Sequence, residues 1–146
     1  MLWNEGHVSI MIFDVDSFKK INDTYGHQRG DLALKSVSDN ALDIKRNTDL
    51  LARYGGEEFV MVMPQTEREG ATAIAERLRK SIEEMEIPID DHILKTTISI
   101  GVATCGPHTK NMTISELFDL ADQALYDAKN SGRNRVVTAD QQLTAA

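Results

Sequence analysis

The chain has few of the residues that mark several large protein classes. It contains one cysteine, Cys105, so it cannot form an internal disulfide, and nothing argues for an oxidising compartment. No apolar run approaches the roughly 20 residues that a membrane-spanning helix requires, and the first residues lack the pattern of a secretory signal. We therefore expect a cytoplasmic domain, although a longer protein that contains it could be anchored to a membrane.

The chain also lacks an excess of basic residues. Sixteen Lys and Arg against 23 Asp and Glu give a formal net charge of −7. Non-specific binding to a nucleic acid duplex needs a basic face, so we expect no nucleic-acid partner. No Walker loop or dinucleotide-binding fingerprint occurs either. A phosphate-bearing ligand would therefore have to be held by a few placed cations and by metal.

The 146 residues fit one globular domain, which we place at residues 1–140 and follow with a tail at 141–146. The apolar patterns predict an α+β fold with the element order βααββαβαβ. We expect a central, mostly antiparallel sheet of five strands covered by helices. The predicted strands include residues 8–13, 93–104 and 135–137, and the predicted helices include residues 17–25, a helix after Gly30, residues 67–85 and a helix that follows a capping box at Thr113. Gly101 lies inside a predicted strand, which indicates a bulge or the close approach of another element.

The most informative stretch consists of two apolar runs at residues 50–54 and 59–63, joined by Gly55-Gly56-Glu57-Glu58. Apolar runs around a glycine pair predict a β-hairpin, and glycine lets a ligand approach the backbone closely. Adjacent carboxylates repel each other, and a cation between them removes that cost. The alternative is a solvent-exposed hairpin tip with two solvated glutamates.

Two aspartates close the first predicted strand. Asp16 is predicted to N-cap the helix that follows. Asp14 ends the strand itself and needs a partner if it points into the protein. Acids at the end of a buried strand are a common way to hold metal ligands on a rigid support. Asp31 is likewise in a position typical of an N-cap, and His27 is predicted to be a loop residue.

Taken together, these stretches resemble the GGDEF domains, the bacterial diguanylate cyclases. The matching blocks recur in the family's order between about Ser9 and Val137, and they comprise residues 14–23, 25–27 with 30–31, 53–59 and 131–134. The resemblance implies condensation of two GTP molecules into cyclic di-GMP with release of pyrophosphate. It also implies a homodimer in which each domain holds one GTP, and Mg²⁺ or Mn²⁺ with two ions per active site.

The resemblance further implies roles for particular residues. Asp14, the Val15 carbonyl, Glu57 and Glu58 match the metal ligands, and both glutamates are catalytic candidates, with Glu57 a ligand or general base. The implied substrate-binding residues are Phe18, Lys19, Asn22, Asp31, Gly55, Gly56, Lys129 and Arg133. In that set Lys19, Lys129 and Arg133 match phosphate contacts, and Asn22 and Asp31 match the guanine readers. Phe18 lies three residues before Ile21 and is by its spacing a core residue.

A second group of residues matches the family's inhibitory product site, and its members are Arg46, Asp49 and Arg77. Without the resemblance they would be ordinary surface residues. The family's upstream helix with an Asp-x-Leu-Thr block does not fit before the first strand. We therefore expect a fragment of a protein with an upstream sensor or receiver domain. A GGDEF module that only binds GTP or cyclic di-GMP is the alternative function, and the intact Asp14, Glu57 and Glu58 favour the cyclase.

Overall fold

The computed structural model describes residues 6–109 and 111–139 of the chain. The strands are β1 (Val8–Val15), β2 (Leu50–Tyr54), β3 (Glu58–Pro64), β4 (Ile87–Ile89), β5 (His92–Leu94), β6 (Ile98–Cys105) and β7 (Val136–Thr138). The helices are α1 (Phe18–Tyr25), α2 (His27–Ile44), α3 (Arg68–Glu84) and α4 (Ile114–Asn130), with a 3₁₀ turn at Pro107–Thr109. The predicted tail at 141–146 lies outside the described residues.

Five strands form the main sheet in the order β2-β3-β1-β6-β7. All neighbouring pairs are antiparallel except β6 and β7, which are parallel. All eight residues of the central strand β1 are buried, as its nearly continuous apolar sequence predicts. The predicted α+β fold and mostly antiparallel sheet are therefore confirmed.

The helices cover both faces of this sheet. Helices α1, α2 and α3 pack on one face, where Phe13, Phe59 and Met61 join the larger core cluster. Helix α4 packs on the other face through Leu117, Ala121 and Leu125. Each covered face uses alternate residues of the central strands, so the sheet forms a layer between two helical layers.

Two predicted elements have wrong boundaries. Helix α2 begins at His27 rather than after Gly30, because Gly26 at φ 91° separates it from α1 and the chain resumes helical geometry at once. His27 is thus helical, and Asp31 lies inside α2 instead of capping it. The predicted strand 93–104 is split into β5 and β6, because a turn at Asp90 pairs β5 with β4 as a separate two-stranded sheet.

Two predicted local features are confirmed. Thr113 and Glu116 form a reciprocal capping box at the start of α4, with N–H to side-chain oxygen distances of 2.9 and 3.1 Å. At Gly101 the structure has a close approach, since a Cβ there would lie 2.1 Å from the Ala121 carbonyl oxygen and 2.3 Å from the Leu125 nitrogen. Strand β6 pairs without interruption with β1, so Gly101 is needed for packing and not for a bulge.

Among the helices of the described residues, none has both the length and the apolar character needed to cross a membrane.

The packing at Gly101 generates a stability prediction. Gly101→Ala should destabilise the domain by about 3 kcal/mol or more, because the new methyl group meets helix backbone that cannot move aside without shifting α4. Denaturant unfolding measures the change. Gly70→Ala is the matched control, since Gly70 lies inside α3 and a Cβ there would be 3.4 Å from the Thr66 methyl group, an ordinary contact. That substitution should be neutral or stabilising. Equal effects of the two substitutions would contradict the close approach.

Candidate active site

The predicted acidic residues converge at one end of the sheet. Asp14 at the end of β1 is paired directly with Glu58, the first residue of β3. The Val15 N–H donates to the Glu57 carbonyl at 3.4 Å, which places Glu57 beside the same strand end. Strand pairing therefore brings together the four residues that the sequence predicts as metal ligands.

The hairpin that carries the two glutamates has the predicted form. Strands β2 and β3 pair in register from Leu50 to Tyr54, so Gly55, Gly56 and Glu57 form the turn between them. Gly55 has φ 68°, a value that glycine adopts without strain. The Arg53 guanidinium donates to the Gly56 carbonyl at 2.6 and 2.9 Å and fixes the turn. Arg53 thereby has a partner within the hairpin.

Asp14 is the most buried of these acids, at 4% exposure. Its Oδ2 accepts a hydrogen bond from the Lys129 Nζ at the end of α4, and the two side chains form an ion pair. Its Oδ1 is also buried, and no donor among the described residues satisfies it when the neighbouring Glu57 carboxyl is ionised. A buried carboxylate oxygen without a donor is rare in proteins and fits a site that binds a cation.

The acids raise one another's proton affinity. Burial raises the pKa of Asp14, and the hydrogen bond and charge of Lys129 offset this only in part. Burial also raises the pKa of Glu57 and of Glu58, and the charge of Asp14 adds to both shifts. Burial alone would lower the pKa of Lys129, but its contact with Asp14 and the charges of both glutamates outweigh this and raise it. The carboxylate cluster, which we define as Asp14, Glu57 and Glu58 with Lys129, therefore holds more negative charge than Lys129 neutralises.

These acids do not by themselves form a complete cage. Across residues 6–109 and 111–139, no three His, Cys, Asp or Glu side chains lie close enough to one another to hold an ion alone. The oxygen donors of Asp14 and Glu58 suit a hard divalent cation, which commonly takes further ligands from backbone carbonyls, water or substrate phosphates. The residues thus fit a metal site that the nucleotide would help to complete.

A cavity of about 530 Å³ lies between α2 and the β2–β3 hairpin. Its lining includes Asp31 and Arg53, together with the apolar Leu34, Leu51 and Phe59. Leu34 and Leu51 were not predicted as lining residues, although Leu34 follows Asp31 by three positions and hence shares its helix face. Lys35 and Ser38 also line the cavity, so its walls combine apolar side chains with a few polar groups, a mixed lining that suits a flat base with polar edges.

Asn22 and Phe18 meet α2 at Gly30. A Cβ at Gly30 would lie 1.7 Å from the Asn22 Oδ1 and 3.2 Å from the Phe18 Cζ. The Asn22 Oδ1 is buried, and within the described part of the chain it has no hydrogen-bond partner. Phe18 packs against the larger core cluster, as its spacing predicts. The structure thus gives Asn22 an unused polar atom in the helix pair that carries Asp31.

The predicted phosphate contacts are only partly assembled. Lys129 lies in the carboxylate cluster. Lys19 is exposed on α1, and Arg133 is exposed in the segment between α4 and β7. In the described structure neither Lys19 nor Arg133 makes a side-chain ion pair with the cluster.

The residues predicted for product inhibition are also divided. The Arg46 guanidinium donates to the Asp49 carboxylate at 2.8, 3.0 and 3.3 Å, and it also contacts the Thr66 hydroxyl. Asp49 is 2% exposed, and its hydrogen bonds to Arg46 raise the pKa of that guanidinium. Arg77 lines a different cavity, of about 590 Å³, between α2 and α3 together with Asn40 and Lys80.

Asp16 is not the helix cap that the sequence predicts. The N-cap position of α1 is Ser17 at φ 55°, and none of the described side chains caps the helix. The Asp16 carboxylate instead accepts from the Thr97 and Ser99 hydroxyl groups, at 2.6 Å each, and from the Asn134 N–H at 3.0 Å. These donors lie at least 81 residues away in sequence, so no local pattern could have indicated them.

Comparisons with known proteins agree with this architecture. The family described as "Diguanylate cyclase, GGDEF domain" matches residues 3–135. Diguanylate cyclase A of Treponema denticola is 43% identical over 139 residues, which are 95% of this chain and 37% of that protein. The chain thus spans about a third of the length of the curated relatives it matches.

Two solved structures show the same fold. Diguanylate cyclase SiaD, in complex with its activator SiaC from Pseudomonas aeruginosa, has a TM-score of 0.87 and 37% identity over 93% of this chain and 51% of its own. The GGDEF domain of DgcB from Caulobacter crescentus, in complex with c-di-GMP, has a TM-score of 0.87 and 30% identity over 92% of this chain and 79% of its own.

An α+β sheet of this order, with paired glutamates after a Gly-Gly turn, defines the class of GGDEF-type domains. This chain belongs to the GGDEF family of diguanylate cyclases.

The charge imbalance generates a prediction for the metal-free protein. Glu57→Gln should raise the melting temperature in chelator at pH 7.5, because a raised pKa means that folding disfavours the ionised form of Glu57. Stability from such a group is present below its unfolded-state pKa and is lost as pH rises through the folded-state pKa. The gain from Glu57→Gln should therefore shrink as pH falls toward 4.5, the ordinary pKa of glutamate.

Lys129→Met provides the opposite-sign comparison in the same cluster. It should lower the melting temperature at pH 7.5, because Asp14 then keeps a buried charge without a counter-ion, a loss of about 1–3 kcal/mol or more. Thermal melts of both variants at several pH values measure the effects. A drop with Glu57→Gln, or no change with Lys129→Met, would contradict the charge balance described here.

Proposed function

We propose that this domain is the catalytic part of a diguanylate cyclase that condenses two GTP molecules into cyclic di-GMP. In each of the two bond-forming steps a ribose 3′-hydroxyl attacks the α-phosphate of the other GTP. The new P–O bond replaces the bond to pyrophosphate, which leaves, and the hydroxyl gives up its proton. The observation that carries the proposal is the convergence of Asp14, Glu57 and Glu58 at the hairpin, beside a cavity that suits a base.

The family generally uses a divalent metal ion. Asp14, Glu58 and the Val15 carbonyl would hold Mg²⁺ or Mn²⁺ here, with Glu57 as a further ligand, and we propose two ions per site. When bound, the metal supplies charge neutralisation to the attacking and leaving oxygens. Glu57 has a raised pKa and a position on the turn, and both properties suit a group that accepts the 3′ proton.

The remaining contacts would bind and orient GTP. Asp31 lines the cavity beside α2 and suits the adjacent N1–H and N2–H donors of guanine, and the unused Asn22 Oδ1 lies in the same helix pair. Adenine has no N1–H and would leave the Asp31 carboxylate unpaired, which favours GTP over ATP. Phe18 packs beneath this region, and Gly55 and Gly56 leave the hairpin open to the nucleotide. Lys19, Lys129 and Arg133 would bind the phosphates.

One domain holds one GTP in this proposal, so two copies must face each other as a homodimer. Their approach would be controlled by an upstream sensor or receiver domain in the full-length protein. GGDEF relatives have been solved with a protein activator and with c-di-GMP. We also propose cytoplasmic location for the domain and inhibition by the product through Arg46, Asp49 and Arg77.

A second candidate function is a receptor that binds cyclic di-GMP or GTP without turnover. The Arg46–Asp49 pair is intact, and a ligand site built on this pair would bind cyclic di-GMP without any catalytic residue, which favours the receptor. Mass detection after incubation of the full-length protein with GTP and Mg²⁺ separates the two functions. Formation of cyclic di-GMP supports the cyclase, whereas binding of cyclic di-GMP without synthesis supports the receptor.

Glu57→Gln tests the catalytic proposal in the same full-length protein. Synthesis should fall on the order of a hundredfold or more, because the variant keeps the size of Glu57 and loses the charge that holds metal or accepts the proton. Glu86→Gln is the matched control, since Glu86 is exposed between α3 and β4. Near-normal synthesis by Glu57→Gln would make the hairpin acids structural and the mechanism wrong.

Arg46→Ala tests product inhibition. Turnover at low product should stay near that of the unchanged protein, and inhibition by added cyclic di-GMP should be lost, because Arg46 supplies the guanidinium fork for phosphate or guanine. A melting curve must accompany the assay, since Asp49 loses its partner. Arg29→Ala removes another Arg–Asp pair, with Asp90, and should leave inhibition intact. Unchanged inhibition in Arg46→Ala would exclude this site.

A further inference from the structure

The segment that joins α4 to β7 contains three successive residues with positive φ. The values are 131° for Gly132, 62° for Arg133 and 47° for Asn134. The Arg133 N–H donates to the Ala128 carbonyl at 3.0 Å, which together with Gly132 closes α4 in a Schellman motif. Arg133 and Asn134 have side chains, and residues other than glycine rarely adopt this backbone region. Contacts elsewhere must therefore hold the segment in place.

Asp16 supplies the first of these contacts. Its Oδ2 accepts from the Asn134 N–H at 3.0 Å and from the Thr97 hydroxyl at 2.6 Å, and its Oδ1 accepts from the Ser99 hydroxyl at 2.6 Å. Asp16 is 8% exposed, so both oxygens are desolvated and each is used. A buried carboxylate with three donors thus ties the segment to the end of β1 and the start of β6.

The Asn134 side chain supplies the second contact. Its Nδ2 donates to Glu83 Oε2 at 2.6 Å, and its Oδ1 accepts from Arg79 at 3.0 Å. Glu83 and Arg79 both belong to α3 and lie near each other, with an N–O distance of 3.5 Å. Both ends of one amide are thereby bound by a helix from a different part of the chain. The segment is held from two directions.

Arg133 is different from its neighbour. It is exposed, and in the described residues its guanidinium makes neither a hydrogen bond nor an ion pair with another residue. Its backbone is fixed on one side by the contact with Ala128 and on the other by the bond between Asn134 and Asp16. The backbone that carries this free cation is therefore held by hydrogen bonds on both sides, while its side chain is available to a ligand.

We propose that Asp16 and Asn134 are positioning residues that preset Arg133 for the triphosphate of the bound nucleotide. The inference rests on the proposed function, in which Arg133 binds phosphate. A guanidinium on a fixed backbone loses less conformational freedom when it binds than one on a mobile loop. Loss of the contacts should thus weaken binding of the phosphates and leave recognition of the base unchanged.

Asn134→Gly is the informative variant. It removes the side-chain contacts with α3, and glycine accepts the positive φ without strain, so the fold is retained. Calorimetry on the full-length protein with Mg²⁺ should find about a tenfold loss of affinity for a non-hydrolysable GTP analogue. Affinity for guanosine should change less than about twofold. Glu76→Gln is the matched control, because Glu76 pairs with the same Arg79 at 2.9 Å and has no described contact with Asn134.

A double-mutant cycle with Arg133→Ala then decides whether Asn134 acts through Arg133. In the Arg133→Ala background, Asn134→Gly should have little further effect, because the group that it positions is gone. Additive losses would overturn the proposal, and so would an equal loss for guanosine, which would indicate a general defect of the domain.

Hydrogen exchange on the ligand-free protein provides a readout that does not depend on the activity. The amides of residues 131–135 should exchange faster in Asn134→Gly and unchanged in Glu76→Gln. If the protein binds the GTP analogue but makes no cyclic di-GMP, the cyclase proposal fails, and the Asn134→Gly affinities and the double-mutant cycle still decide the positioning proposal. If cyclic di-GMP forms while Asn134→Gly binds and exchanges like the unchanged protein, the positioning proposal fails alone. Failure of the unchanged protein to bind the analogue would overturn both.

Discussion

The candidate site depends on the burial of one carboxylate. Asp14 ends the central strand at 4% exposure, and a charge in that environment requires compensation. Lys129 provides it, because α4 packs directly on β6 at Gly101. Ala121, Leu125 and Lys129 are spaced by four and lie on one face of α4. Helix α4 thus buries an apolar stripe against the sheet, and Lys129 lies on the same face near its C-terminal end, where it reaches Asp14.

The parts of the structure that sequence analysis predicted are those with local causes. The β2–β3 hairpin follows from its apolar runs and glycine pair, and the start of α4 follows from the Thr113–Glu116 box. The three acids were predicted as a candidate site from their places in the sequence, and the structure puts Asp14 near the end of β1, Glu57 in the β2–β3 turn and Glu58 at the start of β3. Strand register then placed Asp14 opposite Glu58, and the family resemblance correctly indicated the fold.

The parts that were missed depend on distant residues. Asp16 fits the local pattern of an N-cap, but its carboxylate accepts hydrogen bonds from the Thr97 and Ser99 hydroxyl groups instead. The early start of helix α2 is an exception with a local cause, because one glycine, Gly26, suffices to separate it from α1. Leu34 and Leu51 line the cavity only because α2 crosses the hairpin. Hydrophobic periodicity and capping motifs in a single sequence contain no information about such tertiary contacts.

The two halves of the site have different mechanical support. The carboxylates are held by backbone pairing between β1 and β3, whereas the cations come from the end of α4 and the segment after it. Lys129 compensates Asp14 in the ligand-free protein, so it is not fully available to a phosphate group at the same time. A divalent cation beside Asp14 would neutralise that carboxylate in place of Lys129, and the Lys129 ammonium could then pair with a triphosphate. We therefore expect metal and nucleotide to favour each other's binding. The metal neutralises Asp14 and frees Lys129 for the phosphates, and the phosphates add negative charge that attracts the metal.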